Sequence, residues 1–345
     1  MTSALAFLLL AGVVRAAPMA RAPSAATLQN KPFGVLLLGQ DGGKELQDAL
    51  TAMTTTFAPQ FPFEFAGGAA DVKAIQKAVD RLQDAHIKKL VVVPLYASSR
   101  SPLMEQTRYL FGIRQDPAPE FFTAAHRPAG YALVRRVQFR GKLPVVLTAA
   151  PDDDPPVVDV LTSRALKLSK NPAAEALVLV GLAPAAAPLD ETVLGQTGHP
   201  KPPTVEDEYR QLLSSLAERV RARSGLKSAH AAVLQPYAQY QSERERHEET
   251  LRSLVRGLSR SQRVLVVTYA VTGSEAAPHI LRALQGTFMR YNEKGLLPDE
   301  RMVRWVADAI RRGAALPDMR VYKDAGRALP RTVKPMSVKL SGSHQ

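Results

Sequence analysis

The chain has 345 residues, 46% of them hydrophobic and 22% charged. That is enough apolar material for a full core and, at about 150 residues each, for two domains. A formal net charge of +13 points to an anionic partner, and the absence of cysteine excludes disulfides, thiolate zinc sites and cysteine nucleophiles together. Lys and Arg are scattered. Their densest cluster, Arg135, Arg136, Arg140 and Lys142, holds only Phe139 as an aromatic, so nucleic-acid binding is not expected.

Residues 4–14 form an apolar run of signal-peptide length, too short to span a bilayer, which needs about 20 residues. Val14 and Ala16 supply the small residues of a cleavage site, although residues 1–3 carry no Lys or Arg. The expectation is an exported protein (periplasm or cell envelope) with a signal peptide at 1–16, a linker at 17–31 and no integral membrane segment in the mature chain. Residues 33–38 are a continuous apolar run ending at Gly39, the pattern of a strand buried on both faces. The polar turn Gly39-Gln40-Asp41-Gly42-Gly43 follows, then Leu46, Leu50 and Met53 at helical spacing. Residues 61–66 read as a second strand. Asp71 caps a helix with the stripe Val72, Ile75, Val79 and Leu82, and residues 90–95 read as a third strand. Ser101-Pro102 opens the next helix, and residues 145–147 form a fourth strand.

The pattern then restarts. Residues 176–181 form a strand ending in Gly181, the counterpart of Gly39. Tyr209, Leu212, Leu213, Leu216 and Val220 line one helical face, and residues 231–234 are a strand. Ser242 and Glu245 form a capping box. The strand at 263–267 lies 174 positions after that at 89–93, and the same offset carries Gly112 onto Gly286. A loop at 184–204, rich in Pro and Gly, is extra to the second half, and Met302, Val306, Ala309 and Ile310 mark a last helix. The expected architecture is α/β, with two similar doubly wound parallel-sheet halves at 32–150 and 175–315, a linker at 151–174 and a tail at 316–345.

There is no nucleophile elbow, Walker loop or dinucleotide fingerprint. The strand and Gly-rich turn around Gln40, followed by Val92-Val93-Pro94-Leu95-Tyr96-Ala97, resemble the sirohydrochlorin cobaltochelatases (CbiX-type, class II chelatases). The chain looks like a degenerate two-repeat member. The resemblance spans residues 33–112 well and 176–290 less well. It implies insertion of a divalent metal (cobalt, nickel or iron) into a tetrapyrrole without ATP, with two histidines serving the metal and the pyrrole protons. Gln40 stands at the first histidine position and Leu182 at its repeat; residues 98–101 contain no histidine. A Gln amide is a poor imidazole substitute as ligand and as proton acceptor.

His279 falls where the second histidine of the repeat belongs, with Glu275 four residues earlier. The resemblance makes His279 and Glu275 the catalytic candidates and His279 the metal ligand; the alternative for His279 is a plain polar position near a helix start. Gln40, Arg100 and Arg108 are candidate tetrapyrrole contacts, with Arg114 near them, against the alternative of solvated surface arginines. The run Asp152-Asp153-Asp154 is either a hard-cation site or, with its flanking prolines, a solvated linker. Two functions follow: a chelatase of weak or lost activity, or an exported non-catalytic protein that binds a metal or tetrapyrrole.

Overall fold

A computed structural model describes residues 33–40, 43–118, 136–183, 204–238 and 240–322. The expected signal peptide and linker, the loop at 184–203 and the tail beyond 322 lie outside the described residues. Strands β1 (Phe33–Gly39), β2 (Phe63–Ala66), β3 (Lys89–Leu95) and β4 (Val145–Leu147) form one sheet, in the order β2-β1-β3-β4. Strands β5 (Glu175–Leu182), β6 (Ser228–Leu234), β7 (Arg263–Tyr269) and β8 (Arg290–Asn292) form a second, in the order β6-β5-β7-β8. Every pairing is parallel. Helices α1 (Gly43–Phe57), α2 (Val72–Asp84) and α3 (Pro102–Leu110) connect the first sheet. Helix α4 (Pro155–Leu166) leads to the second, whose helices are α5 (Val205–Ser224), α6 (Gln241–Leu258), α7 (Gly273–Ala283) and α8 (Glu300–Ala315).

The two sheets share a register. Gly39 pairs with Leu95 and Gly181 with Tyr269, and positions 95 and 269 keep the 174-residue offset read from the sequence. Gly112 and Gly286 both follow the helix after the third strand of their sheet, with left-handed φ of 71° and 74°. Asp71 accepts from the amides of Lys73 and Ala74, and Ser101 from that of Met104, so both caps form as expected. The capping box at Ser242 does not form. Helix α6 starts at Gln241, which puts Ser242 inside its first turn, and Tyr240 at the cap makes no side-chain bond.

Successive side chains of a strand face opposite layers. Leu36 and Leu38 point to α2 and α3, and Val178 and Val180 to α6 and α7. Val35, Leu37, Leu177, Leu179, Leu265 and Val267 point inward into a single core that contains both sheets, α1, α4, α5 and α8. The sequence boundaries are corrected here. Segment 151–174 is not a solvated linker, because α4 buries Val157, Val158, Val160, Leu161 and Ala165 in that shared core against α5 and β7. Helix α8 does not cover its own sheet but packs on β3 and β4 of the first. Each exchanged helix is held at its C-terminus by the sheet it covers. Lys89 of β3 donates to the carbonyls of Ala314 and Leu316, and Arg290 of β8 donates to that of Leu168 at 2.9 Å. The start of the expected tail is also built in, since the Met319 amide bonds to the Val145 carbonyl and those of Val321 and Tyr322 to the Gly112 carbonyl.

Candidate functional site: the cleft between the halves

In open parallel sheets, ligands bind at the carboxyl ends of the strands, where loops diverge. Here the carboxyl ends of both sheets open on one cleft of about 270 Å³, near the lower limit for ligand pockets. The first half contributes Gln40 after β1 and the loop after β3, with Ser98, Arg100 and Ser101; the second contributes Leu182, Tyr209, Tyr237 and Glu275.

The loop after β3 is pinned from both sides. The Ser99 amide donates to Asp152 at 2.7 Å, and the Ala150 amide donates to the Ser99 hydroxyl. From the second sheet, the buried Tyr269 hydroxyl reaches the Ala97 carbonyl at 2.5 Å and the Asp152 carbonyl at 3.0 Å. Within the loop, the Arg100 amide donates to Ser98 Oγ. The Arg100 side chain is exposed and meets no carboxylate among the described residues, which leaves its guanidinium available to an anionic ligand.

Glu275 is half-buried in the opposite wall, and burial alone pushes its carboxyl above the usual range. No hydrogen-bond partner satisfies it among the described residues. Tyr237 lies beside it, its phenol pushed up by burial and by the Glu275 charge. Tyr209 is buried, and its hydroxyl meets no hydrogen-bond partner among the described residues.

Gln40, Arg100 and Glu275 are therefore brought together, and two other candidates are not. Arg108 bonds to Glu105, as does Arg114 at 2.7 Å, and neither arginine lines the cleft. Glu105 ties Arg108 back along α3, which corrects the expectation that Arg108 meets the ligand. His279 shares α7 with Glu275, yet it does not line the cleft. Its ring packs edge-on to Tyr237 at 5.7 Å, in a crevice with Gln235, Arg244, Glu248 and Arg282. Burial, and then the Arg282 charge, hold its pKa below the ordinary value. Among the described residues, no three His, Cys, Asp or Glu side chains gather as metal ligands. The three aspartates at 152–154 are spent singly: Asp152 on the Ser99 amide, Asp153 on Arg219 at 2.9 Å and Asp154 on the Trp305 indole at 2.7 Å. They do not gather as a cation site, although Asp153 stays exposed.

Sequence reasoning missed Tyr209 and Tyr237. In sequence Tyr209 is one more member of the apolar stripe of its helix, and Tyr237 stands in a short turn without a motif.

No family model and no curated protein matches the sequence. Among solved structures, two parallel sheets facing a shared cleft define a chelatase-like, two-half α/β fold. SirB from Bacillus subtilis, in a structure with Fe3+, is similar over 82% of this chain and 96% of its own length, with a TM-score of 0.51 at 12% identity. The sirohydrochlorin chelatase SirB of Bacillus subtilis subspecies spizizenii, in complex with cobalt, gives 0.47 at 13% identity, covering 82% of this chain and 95% of that one. A multi-domain protein of Deinococcus radiodurans with similarity to chelatases gives 0.42 at 13% identity, covering 84% of this chain and 56% of that one. At these identities the likeness is one of fold. No helix among the described residues is long and apolar enough to cross a membrane.

Proposed function

We propose that the protein binds a carboxylate-bearing tetrapyrrole in the cleft between its halves, and that its metal insertion is weak or absent. The observation that carries this reading is the chemistry of the cleft wall. Among the described lining residues there is one carboxyl, Glu275, one guanidinium, Arg100, and no imidazole. Arg100 suits a ring carboxylate. Insertion of a divalent metal substrate needs groups that deliver the ion and take up two pyrrole protons near neutral pH. Gln40 can do neither, and His279 lies outside the cleft. A catalytic reading keeps one support: Glu275, with its raised pKa, is suited to accept a single proton.

Two measurements test the proposal. The whole protein is titrated with free-base uroporphyrin, followed by absorbance, and cobalt insertion into sirohydrochlorin is assayed in parallel. Saturable binding without insertion is the expected result, with Arg100→Ala weakening binding about tenfold or more, the loss of a charged hydrogen bond. His279→Ala should leave uroporphyrin affinity unchanged. Robust insertion would overturn the non-catalytic reading, and no binding would overturn the tetrapyrrole itself. Export belongs to the same proposal, and mass spectrometry of the N-terminus of envelope-fraction protein tests it.

A further inference from the structure

Three buried tyrosines stand at or beside the cleft, and their hydroxyls are treated differently. Tyr96 lies 3.2 Å from the Thr107 hydroxyl, and Tyr269 has the carbonyls of Ala97 and Asp152. Tyr209, only 4% exposed, lines the cleft with its hydroxyl unpaired among the described residues. An unpaired buried hydroxyl costs about 1–3 kcal/mol, and folded proteins seldom carry one without reason. Burial, and then the Glu275 charge, keep the Tyr209 phenol well above its ordinary range, so it stays protonated and acts as a donor.

The fold does not need a hydroxyl there. Gly181 and Gly39 hold the same register in the two sheets. A Cβ at Gly181 would come within 2.7 Å of the Tyr209 hydroxyl, so the glycine makes room for that ring. A Cβ at Gly39 would meet only carbon, Phe65 at 3.0 Å and Leu46 at 3.9 Å. The same space is thus filled by hydrocarbon in the first half and by a phenol in the second.

We propose that Tyr209 is a ligand-binding residue whose hydroxyl donates to a carboxyl oxygen of the molecule held in the cleft, across from Arg100. This rests on the tetrapyrrole reading above and deepens it. The ligand is a polycarboxylate with two carboxyl groups set apart, one paired with Arg100 and one bonded to Tyr209.

The test compares wild type with Tyr209→Phe and, as control, Tyr269→Phe, using uroporphyrin as the probe and thermal melting without it. Tyr209→Phe should raise the Kd about tenfold, the loss of one hydrogen bond, while the melting temperature of the unliganded protein stays level or rises. Tyr269→Phe should lower the melting temperature, because it deletes a hydroxyl that already has partners. An unchanged Kd in Tyr209→Phe while wild type binds overturns this inference and leaves the tetrapyrrole reading standing. A fall in melting temperature with unchanged Kd shows that the hydroxyl serves the fold and overturns it as well. If wild type takes up no uroporphyrin, both readings fall together.

Discussion

Glu45, in the first helix, accepts a hydrogen bond at 2.7 Å from the amide of Gly273, the residue that opens the helix carrying Glu275. A second bond, from the Ser274 amide at 3.1 Å, completes a cap supplied by one half to a helix of the other. Thr272, at the N-cap itself, makes no side-chain bond, so Glu45 does that work and also neutralises the positive helix end. Glu45→Ala is expected to cost about 1 kcal/mol of unfolding free energy, as loss of a cap does, and Glu45→Gln less. Urea denaturation measures it. Uroporphyrin affinity should weaken in parallel, since Glu275 follows the cap by two residues; unchanged affinity would show that α7 is positioned by packing alone.

Two glycines in helices give opposite expectations. A Cβ at Gly313 in α8 would lie 2.7 Å from Val91 Cγ1 and 3.0 Å from Thr148 Cγ2, where the helix crosses the first sheet. Val91 is fully buried in the sheet's third strand and has no space to give. Gly313→Ala should therefore destabilise, because an overpacking cost of about 1–3 kcal/mol exceeds a helix-propensity gain of about 1 kcal/mol. Gly257→Ala, where the new Cβ meets nothing within 4 Å, should stabilise by about 0.5–1 kcal/mol. Denaturation midpoints of the two variants test the crossing of α8 onto the first sheet.

Acid should loosen the segment after α8 early. Burial raises the pKa of Asp318, but bonds from the Arg320 side chain and from the Val145 and Arg320 amides outweigh it and bring it down to about 2. A carboxyl depressed in the folded state contributes stability above its unfolded value, about 3.9, and loses that contribution as pH falls through its folded value. The window is therefore about pH 4 to 2. Wild type should lose stability across it more steeply than Asp318→Asn, as followed by melting temperature against pH.

Glu275 has the opposite sign. Its pKa is raised by burial, so its contribution to stability is present below the unfolded value of about 4.3 and is lost as pH rises through the folded value. Glu275→Gln should melt above wild type at pH 7, and the gap should close as pH falls below about 4. A gap independent of pH would show that Glu275 is not held in a desolvated wall.

Much of this protein was legible in its sequence alone. The runs at 33–38, 90–95, 176–181 and 263–267 had to be central strands, because an apolar run bounded by turns and lacking helical period is stable only when covered on both faces. The glycines that end the first strand of each half, Gly39 and Gly181, and the 174-residue offset of Lys89 with Arg263 already pointed to the shared register that the strand pairing shows. Gln40, Arg100 and Glu275 could be placed at one cleft because the strands of a parallel sheet deliver their loops to the same end. Tertiary structure alone decided the rest. An amphipathic stripe such as Met302, Val306 and Ala309 says that a helix buries one face, not which sheet receives it, so the exchange of α4 and α8 left no local trace. The direction of a side chain beyond its helix is likewise a property of its neighbours. Glu105 draws Arg108 away, and Tyr237 and Glu248 frame His279 outside the cleft. Tyr209 carries the same pattern as the leucines below it, and only the tertiary structure shows its hydroxyl lying over Gly181 without a partner among the described residues.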